Sequence, residues 1–530
     1  MQYKKWETVL SIVLFGLLTF LFARFFLNSL GGPRAMNEAF PFLTNGGGRL
    51  ASTLLLAIFF SLFIPSKLTF WLFVFPCAVV AALYSPFARV YGPPDYQSLI
   101  SALATNKEEA FEFLTQIPIK VYFKGALVPG LALLSYYLAH ISHIRPWRNK
   151  VYILTSLFIF IVFTEPSAFV RKTFTAAYQT QKTINELKNA STTNSWPDGP
   201  KVLQDKDYVL IIGESARKDY FHLYGYPVAN TPFLDSVNSI TVNGLEAGGT
   251  YTIGSLTNML TRGDKKNWKP KFEYSLIDLA NRSGIKTFWI SNQGLSGKYD
   301  TPVSTIGFKA NVTKFLHSGA YDSKNLSDFL LIRQLRNILD SKTKGGRLII
   351  LHTIGSHPDA CRRIEDMKDK FEVTRKDLGY VACYVTSIKK TDAFLQKVYT
   401  TMQKSSAKSG RPFSIIYFSD HGQIHRNING KIIINNNSAS KFHYDVPLIR
   451  IDSDFKTRLH LKSQKSGLNF TEGLANWMGI QNPQLQHYDL FDGKDDLTDY
   501  GLSKKIEAIK NPEDPAIDIS PYLKSENSGS

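Results

Sequence analysis

Five apolar stretches in the first third of the chain, at about residues 6–28, 49–65, 68–86, 122–141 and 151–169, decide which solvent this part can fold in. Each reaches, or nearly reaches, the roughly 20 residues that a helix needs to cross a bilayer; 49–65 is the shortest. Trp6, Trp71 and Trp147 stand near their ends, where an aromatic ring settles at headgroup level. Lysine and arginine set the orientation. Lys4 and Lys5 precede the first stretch, Lys67 sits in the turn after the second, and Arg145, Arg148 and Lys150 crowd the fourth connection. Those segments share one side, which the positive-inside rule makes the cytoplasm. Five spans then leave everything after about residue 170 outside. A cleaved signal peptide does not account for residues 1–30, because the apolar run is too long and no small-residue cleavage site follows.

Export gives the cysteines and the charge their meaning. Cys77 lies within the third stretch, whereas Cys361 and Cys383 fall in the exported part, where oxidation is permitted, and are expected to pair. The formal charge of +18 includes the cluster Lys265-Lys-Asn-Trp-Lys-Pro-Lys271. Outside the cell this excludes nucleic acid as the natural partner and leaves anionic lipid, glycan or a merely solvated face.

The outer connection, 87–120, contains a stretch from Asp95 with apolar residues at helical spacing, read as helices lying at the membrane surface. Residues 171–205 form a linker, helical to about Lys188. A second domain spans 206–505, and 506–530 is a polar tail expected to be poorly ordered. Within the second domain, strands are expected at Tyr208–Ile212, Ile240–Leu245, Thr287–Ser291, Arg347–Thr353, Phe413–Ser419 and Val446–Ile451. They alternate with helices at 255–262, 275–283, 326–340 and 384–404, a pattern that gives a mostly parallel α/β sheet.

The chemistry gathers where strands end. Phe413–Ser419 delivers Asp420-His421-Gly422, an oxygen and a nitrogen ligand suited to zinc, at the carboxyl edge where open α/β sheets bind ligands. The first strand ends in Gly213-Glu214-Ser215-Ala-Arg217, and Glu214 reads equally as a metal ligand or a helix-capping acid. The strand from Arg347 runs into Gly355-Ser356-His357-Pro358, while His352 inside it reads as a satisfied core residue. The turn Gly248-Gly-Thr-Tyr-Thr places Thr250 or Thr252 at a helix N-terminus, where free N–H groups hold phosphate and a nearby metal activates a hydroxyl. Ser215 competes as nucleophile but is expected to cap a following helix.

Together the five stretches, Gly-Glu-Ser-Ala-Arg, the threonine turn, Ile354-Gly-Ser-His-Pro and Phe418-Ser-Asp-His-Gly resemble the membrane-bound phosphoethanolamine transferases. That family has an alkaline-phosphatase/sulfatase-type domain and includes lipid A-modifying enzymes. The resemblance implies one zinc, with a second possible, bound by Glu214, Thr252, Asp420 and His421. It implies a phosphoethanolamine intermediate on Thr252, the second threonine of the turn. His357 matches a histidine holding the phosphoryl group or a second zinc, and Thr105 and Glu109 match donor-headgroup residues. Asn292 and Lys298 match the family's Asn-Asn-Ser…Lys loop loosely. The implied partners are a phosphatidylethanolamine donor and a lipopolysaccharide or glycan acceptor. The implied setting is a monomer in the bacterial inner membrane, its amino terminus cytoplasmic and its catalytic domain periplasmic.

The chain departs from the family in three features. Gly248 and Asn258 stand where a disulfide flanks the nucleophile turn, and Ile433 stands where a second histidine is expected, with His425 and His443 as the possible substitutes. The loose Asn292–Lys298 loop is the third. The rival readings are a phosphoglycerol transferase of the lipoteichoic-acid-synthase type and a catalytically inactive binding or sensor protein.

Overall fold

The computed structural model describes residues 2–30, 46–91, 94–105, 110–111, 114–115, 117–144, 150–163, 165–190, 193–295, 301–318, 327–428, 430–435, 439–510 and 513–524. They form two units, Met1–Ala102 with Phe113–Lys182, and Leu103–Glu112 with Thr183–Ser530.

In the first unit all five apolar stretches are helical: Gln2–Ser29, Gly46–Phe63, a run through Lys67–Thr69, a π turn Phe70–Val74 and Phe75–Tyr91, then Ile119–Ile141 and Lys150–Phe163. Three segments, Trp6–Ser29, Lys67–Ala88 and Ile119–Ile141, are long and apolar enough to cross a bilayer, and Leu50–Phe63 is shorter. In the fifth stretch residues Lys150–Phe163 are helical, and the helix Glu165–Ala190 carries the chain through the linker. Lipid is as apolar as any side chain, so helices here are held by close packing. Phe22 and Phe60 meet with ring centroids 4.8 Å apart. At Gly125 a Cβ would lie 2.9 Å from the Ala82 carbonyl oxygen, so only glycine allows that approach. The outer helix expected after Asp95 is Tyr96–Ala104.

The second unit is built on eight strands: β1 Asp207–Gly213, β2 Ile240–Glu246, β3 Lys286–Leu295, β4 Val312–Ser318, β5 Arg347–His352, β6 Phe413–Ser419, β9 Asp445–Asp452 and β10 Leu459–Ser466. Their order is β10-β2-β9-β6-β1-β5-β3-β4, and a separate hairpin pairs β7 Ile424–Ile428 with β8 Lys431–Asn435. Only β9 runs against its neighbours β6 and β2. Central strands β1, β5 and β6 are buried at every position, which is why they read as unbroken apolar runs. In register Gly213 pairs with Ser419 and Ile212 with His352. Glu214 and Asp420, each one residue further, therefore leave neighbouring parallel strands side by side.

One expectation needs correction. Residues 513–524 are packed rather than loose: Ile519 is fully buried, and Val373 bridges to Leu523. Their polar composition conceals this because side chains anchor them, as Tyr226 donates to the Ile517 carbonyl at 2.8 Å. The loop before β1 is also fixed, with Trp196 buried and its indole N–H donated to the Ser275 carbonyl at 2.8 Å.

Candidate metal centre

Glu214, Asp420 and His421 present ligand atoms within 4.8 Å of one another, all buried. Asp420 is aimed by its surroundings. Its Oδ1 accepts the backbone N–H groups of Ser215 at 2.9 Å and His421 at 2.7 Å, while Oδ2 has no hydrogen-bond partner. The His421 ring sets its Nδ1 2.7 Å from the Gly422 carbonyl; a proton donated there leaves Nε2 as a lone-pair ligand. Glu214 accepts from Ser215 Oγ at 2.6 Å through Oε1, and from Thr252 at 3.1 Å and Gln293 Nε2 at 3.2 Å through Oε2. Burial, then the neighbouring Asp420 charge, pushes the Glu214 carboxyl well above its usual range. A buried carboxyl with a second one beside it stays ionised only near a cation. One nitrogen and two oxygen donors fit zinc, and so do the unpaired Oδ2 and the prepared Nε2.

Thr252 opens the helix Thr252–Met259, which begins earlier and ends sooner than the expected 255–262. Its hydroxyl stands 3.3 Å from His421 Nε2 as well as 3.1 Å from Glu214. Ser255, in the same first turn, donates to the Asp420 carbonyl at 2.5 Å and fastens that helix to the strand-end loop. Where the family's disulfide would lie, Asn258 Nδ2 donates to the Gly248 carbonyl at 2.9 Å. Thr252 rather than Thr250 makes these contacts. Ser215 is no helix cap: it adopts φ 59° and only a 3-10 turn, Lys218–Tyr220, follows. Its backbone N–H holds Asp420, and its hydroxyl serves Glu214.

His357 stands on the loop after β5. Its Nδ1 lies 2.6 Å from the Pro358 carbonyl, and burial and Arg363 push its pKa down to about 3. The neutral ring with Nδ1 protonated offers Nε2 as an acceptor, a form that ligates a cation but cannot donate to a phosphoryl oxygen. Asp328, which no local pattern announces, shapes this loop by accepting the N–H groups of Ile354 and Gly355 at 2.9 and 3.0 Å. Gly355 has φ 46°, and a Cβ there would come within 3.0 Å of the Glu214 backbone. The expected disulfide is present. Cys361 and Cys383, with Cα atoms 4.8 Å apart, tie the short helix Ala360–Arg363 after His357 to the long helix Gly379–Ser409.

Other expected residues divide. Asn292 is buried and donates to Asp328 at 2.7 Å, so it braces the His357 loop. Its neighbour Gln293, on the part of β3 that runs past Ser291, reaches Glu214 and the Thr353 carbonyl instead. Thr105 is half-buried within Leu103–Glu112. Glu109 and Lys298 lie outside the described residues. His352 is only half satisfied: Nδ1 lies 3.3 Å from Ser291 Oγ and Nε2 has no partner. Ile433 sits on hairpin strand β8. Of its two possible substitutes, His425 is taken by Asp514 at 2.6 Å and by Tyr220. His443 is fully buried, its ring centroid 6.3 Å from that of His421, and neither nitrogen has a hydrogen-bond partner; the Gln423 amide is equally unpaired.

The comparisons agree with this geometry. A family model described as Sulfatase matches residues 206–480. A Haemophilus influenzae protein assigned by name to the phosphoethanolamine transferases is 41% identical over 366 residues, 68% of this chain and 75% of its own. The Escherichia coli phosphoethanolamine transferase OpgE is 30% identical over 431 residues, 77% of this chain and 80% of its own. Among solved structures, the integral membrane lipooligosaccharide phosphoethanolamine transferase A (EptA) of Neisseria meningitidis shares the fold over 88% of this chain and 96% of its own, with a TM-score of 0.56 at 18% identity. The chain belongs to the phosphoethanolamine transferases, membrane-helix enzymes with a sulfatase-type catalytic domain.

Proposed function

We propose that this enzyme takes phosphoethanolamine from phosphatidylethanolamine onto Thr252 and passes it to an envelope acceptor, a lipopolysaccharide or a glycan, on the periplasmic side of the inner membrane. One observation carries the reading: the Thr252 hydroxyl sits at a helix N-terminus between Glu214 Oε2 and His421 Nε2. Glu214, Asp420, His421 and Thr252 would hold zinc, which when bound polarises a phosphoryl oxygen and eases loss of the threonine proton. The hydroxyl proton has an acceptor already in place in Glu214 Oε2. As the Thr252 Oγ–phosphorus bond forms, the bond to the diacylglycerol oxygen breaks, and that oxygen is protonated as the lipid alcohol leaves. The unpaired N–H groups of the first helical turn face the charge on the phosphoryl oxygens. The second half repeats the exchange, with an acceptor oxygen attacking phosphorus and Thr252 leaving.

Incubation with phosphatidylethanolamine should place a phosphoethanolamine mass on the tryptic peptide containing Thr252. Thr252→Ala should lose adduct and turnover while retaining measurable zinc, whereas Thr250→Ala should remain active. Full turnover in Thr252→Ala, with no adduct on any peptide, would defeat the covalent route.

A further inference from the structure

The basic segment after the nucleophile helix remains without a role in that reaction. Arg262–Lys271 holds five cations (Arg262, Lys265, Lys266, Lys269 and Lys271) and one acid, Asp264. It forms one wall of a polar pocket of about 280 Å³, whose lining includes Arg262, Asp264, Lys265, Lys271, Glu472 and Tyr500. The charges in this group are three positive against two negative. Asp264 is occupied by Asn267 Nδ2 at 2.7 Å. Glu472 is 5% exposed; its Oε1 pairs with Lys265 at 2.7 Å, and its Oε2 has no hydrogen-bond partner. Arg262 Nε, 3.6 Å from Glu472 Oε1, is buried and also makes no hydrogen bond. The Lys271 ammonium, at the exposed edge, makes none among the described residues.

The walls are held in a costly conformation. Among the described residues four that are not glycine have left-handed backbones: His143, Ser215, Trp268 and Tyr500. Ser215 serves the metal cluster, and two of the other three meet here, with Trp268 Nε1 donating to the Tyr500 carbonyl at 3.1 Å. Left-handed backbone is a genuine outlier for bulky residues, and such strain gathers at binding sites. Lys505 lies 4.0 Å over the Trp268 ring and Lys265 4.8 Å over that of Tyr500, which fixes both lysines.

We infer that this pocket is a binding site for a phosphorylated polyol, a phosphate group carried on a sugar or on glycerol. Arg262 and Lys271 provide cationic donors for phosphate oxygens. Glu472 Oε2 needs a hydrogen-bond donor, which a hydroxyl of the polyol supplies and the ionised phosphate group of a monoester does not. Thr252 and Arg262 flank the same eight-residue helix, about 12 Å long at 1.5 Å per residue. That an occupant here belongs to the acceptor delivered to Thr252 rests on the transfer reading; its binding does not.

Lysine acetylation of full-length zinc-loaded protein in detergent, read peptide by peptide, reports on this pocket alone. D-glucose 6-phosphate or sn-glycerol 3-phosphate should slow acetylation of Lys265 and Lys271 severalfold, while glucose should not. Arg262→Ala should abolish the protection of Lys265. Lys271→Gln, at an exposed position that does not threaten folding, should weaken it. Protection by the sugar ester alone assigns a glycan source, and by the glycerol ester alone a lipid source; both support the site. Equal protection by inorganic phosphate overturns the polyol assignment, and absence of protection by either ester overturns the site. Thr252→Ala, inactive in transfer, should keep the full footprint, so failure of the transfer reading and failure of this one give different results.

Discussion

Replacing His443 with leucine should make the metal-free protein more stable and its response to zinc weaker. A neutral imidazole has one donor and one acceptor to satisfy. In this fully buried ring neither is paired within the protein. Each buried polar group left without a partner destabilises by about 1–3 kcal/mol, so the pair costs the metal-free fold at least about 2 kcal/mol. Leucine fills similar space with nothing to satisfy and should recover that amount, about 3 °C in melting temperature for a domain of this size. With zinc present that advantage should shrink. If the ring ligates the ion or a group held by it, a tenfold weaker affinity removes about 1.4 kcal/mol of the stabilisation that excess zinc confers. The assay is denaturant unfolding of full-length protein in detergent, followed by tryptophan fluorescence, with chelator and with excess zinc. A variant less stable than wild type in chelator, with an unchanged increment from zinc, would show that the buried imidazole is an ordinary core residue.

Four further outcomes are expected. Gln293→Ala should weaken zinc binding about 10- to 100-fold in competition with a chromogenic chelator, because it frees the Glu214 oxygen and breaks the tie to Thr353. Cys361→Ser with Cys383→Ser should lower stability by about 3 kcal/mol on the chain-entropy model for a separation of 22 residues, measured by denaturant unfolding. Burial depresses the His352 pKa to about 4 against 6.5 unfolded, so its neutral form favours folding fully above pH 6.5 and that contribution falls away towards pH 4. Unfolding free energies at pH 7 and pH 5 should therefore differ more in wild type than in His352→Leu. A reporter fused after Lys201 should be active only if it is one that requires export; activity of a cytoplasm-only reporter there would reverse the topology.

The parts legible in the sequence are those where burial leaves a local pattern. Strands β1, β5 and β6 are covered on both faces, so Tyr208–Ile212 and Phe413–Ser419 show as apolar runs whose next residues are the ligands. The edge strand β10, Leu-His-Leu-Lys-Ser-Gln-Lys-Ser, is held by backbone pairing to β2, with half its side chains in solvent, and carries no such signal. β4, at the other edge, pairs only with β3 and is equally polar. Supporting residues were hidden for a different reason. Asp328 and Gln293 act through contacts with loops remote in sequence, and only the folded register brings them to Ile354 and Glu214. The same holds for the choice between His425 and His443, which differ only in what the fold has already given them as partners.

Arg217 is almost fully buried, and its guanidinium is held by Asp219 nearby and by Asp514, 297 residues later. The same Asp514 carboxylate accepts the N–H of His425, on the segment that leaves the Asp420-His421 loop. Synthesised from the amino end, the chain presents the loop and its arginine long before the acid that secures them. The segment that follows Asp420 and His421 is thus secured by an acid 89 residues further along the chain. A chain cut short before Asp514 keeps Glu214, Thr252, Asp420 and His421 yet leaves the buried Arg217 guanidinium short of one of its two counterions.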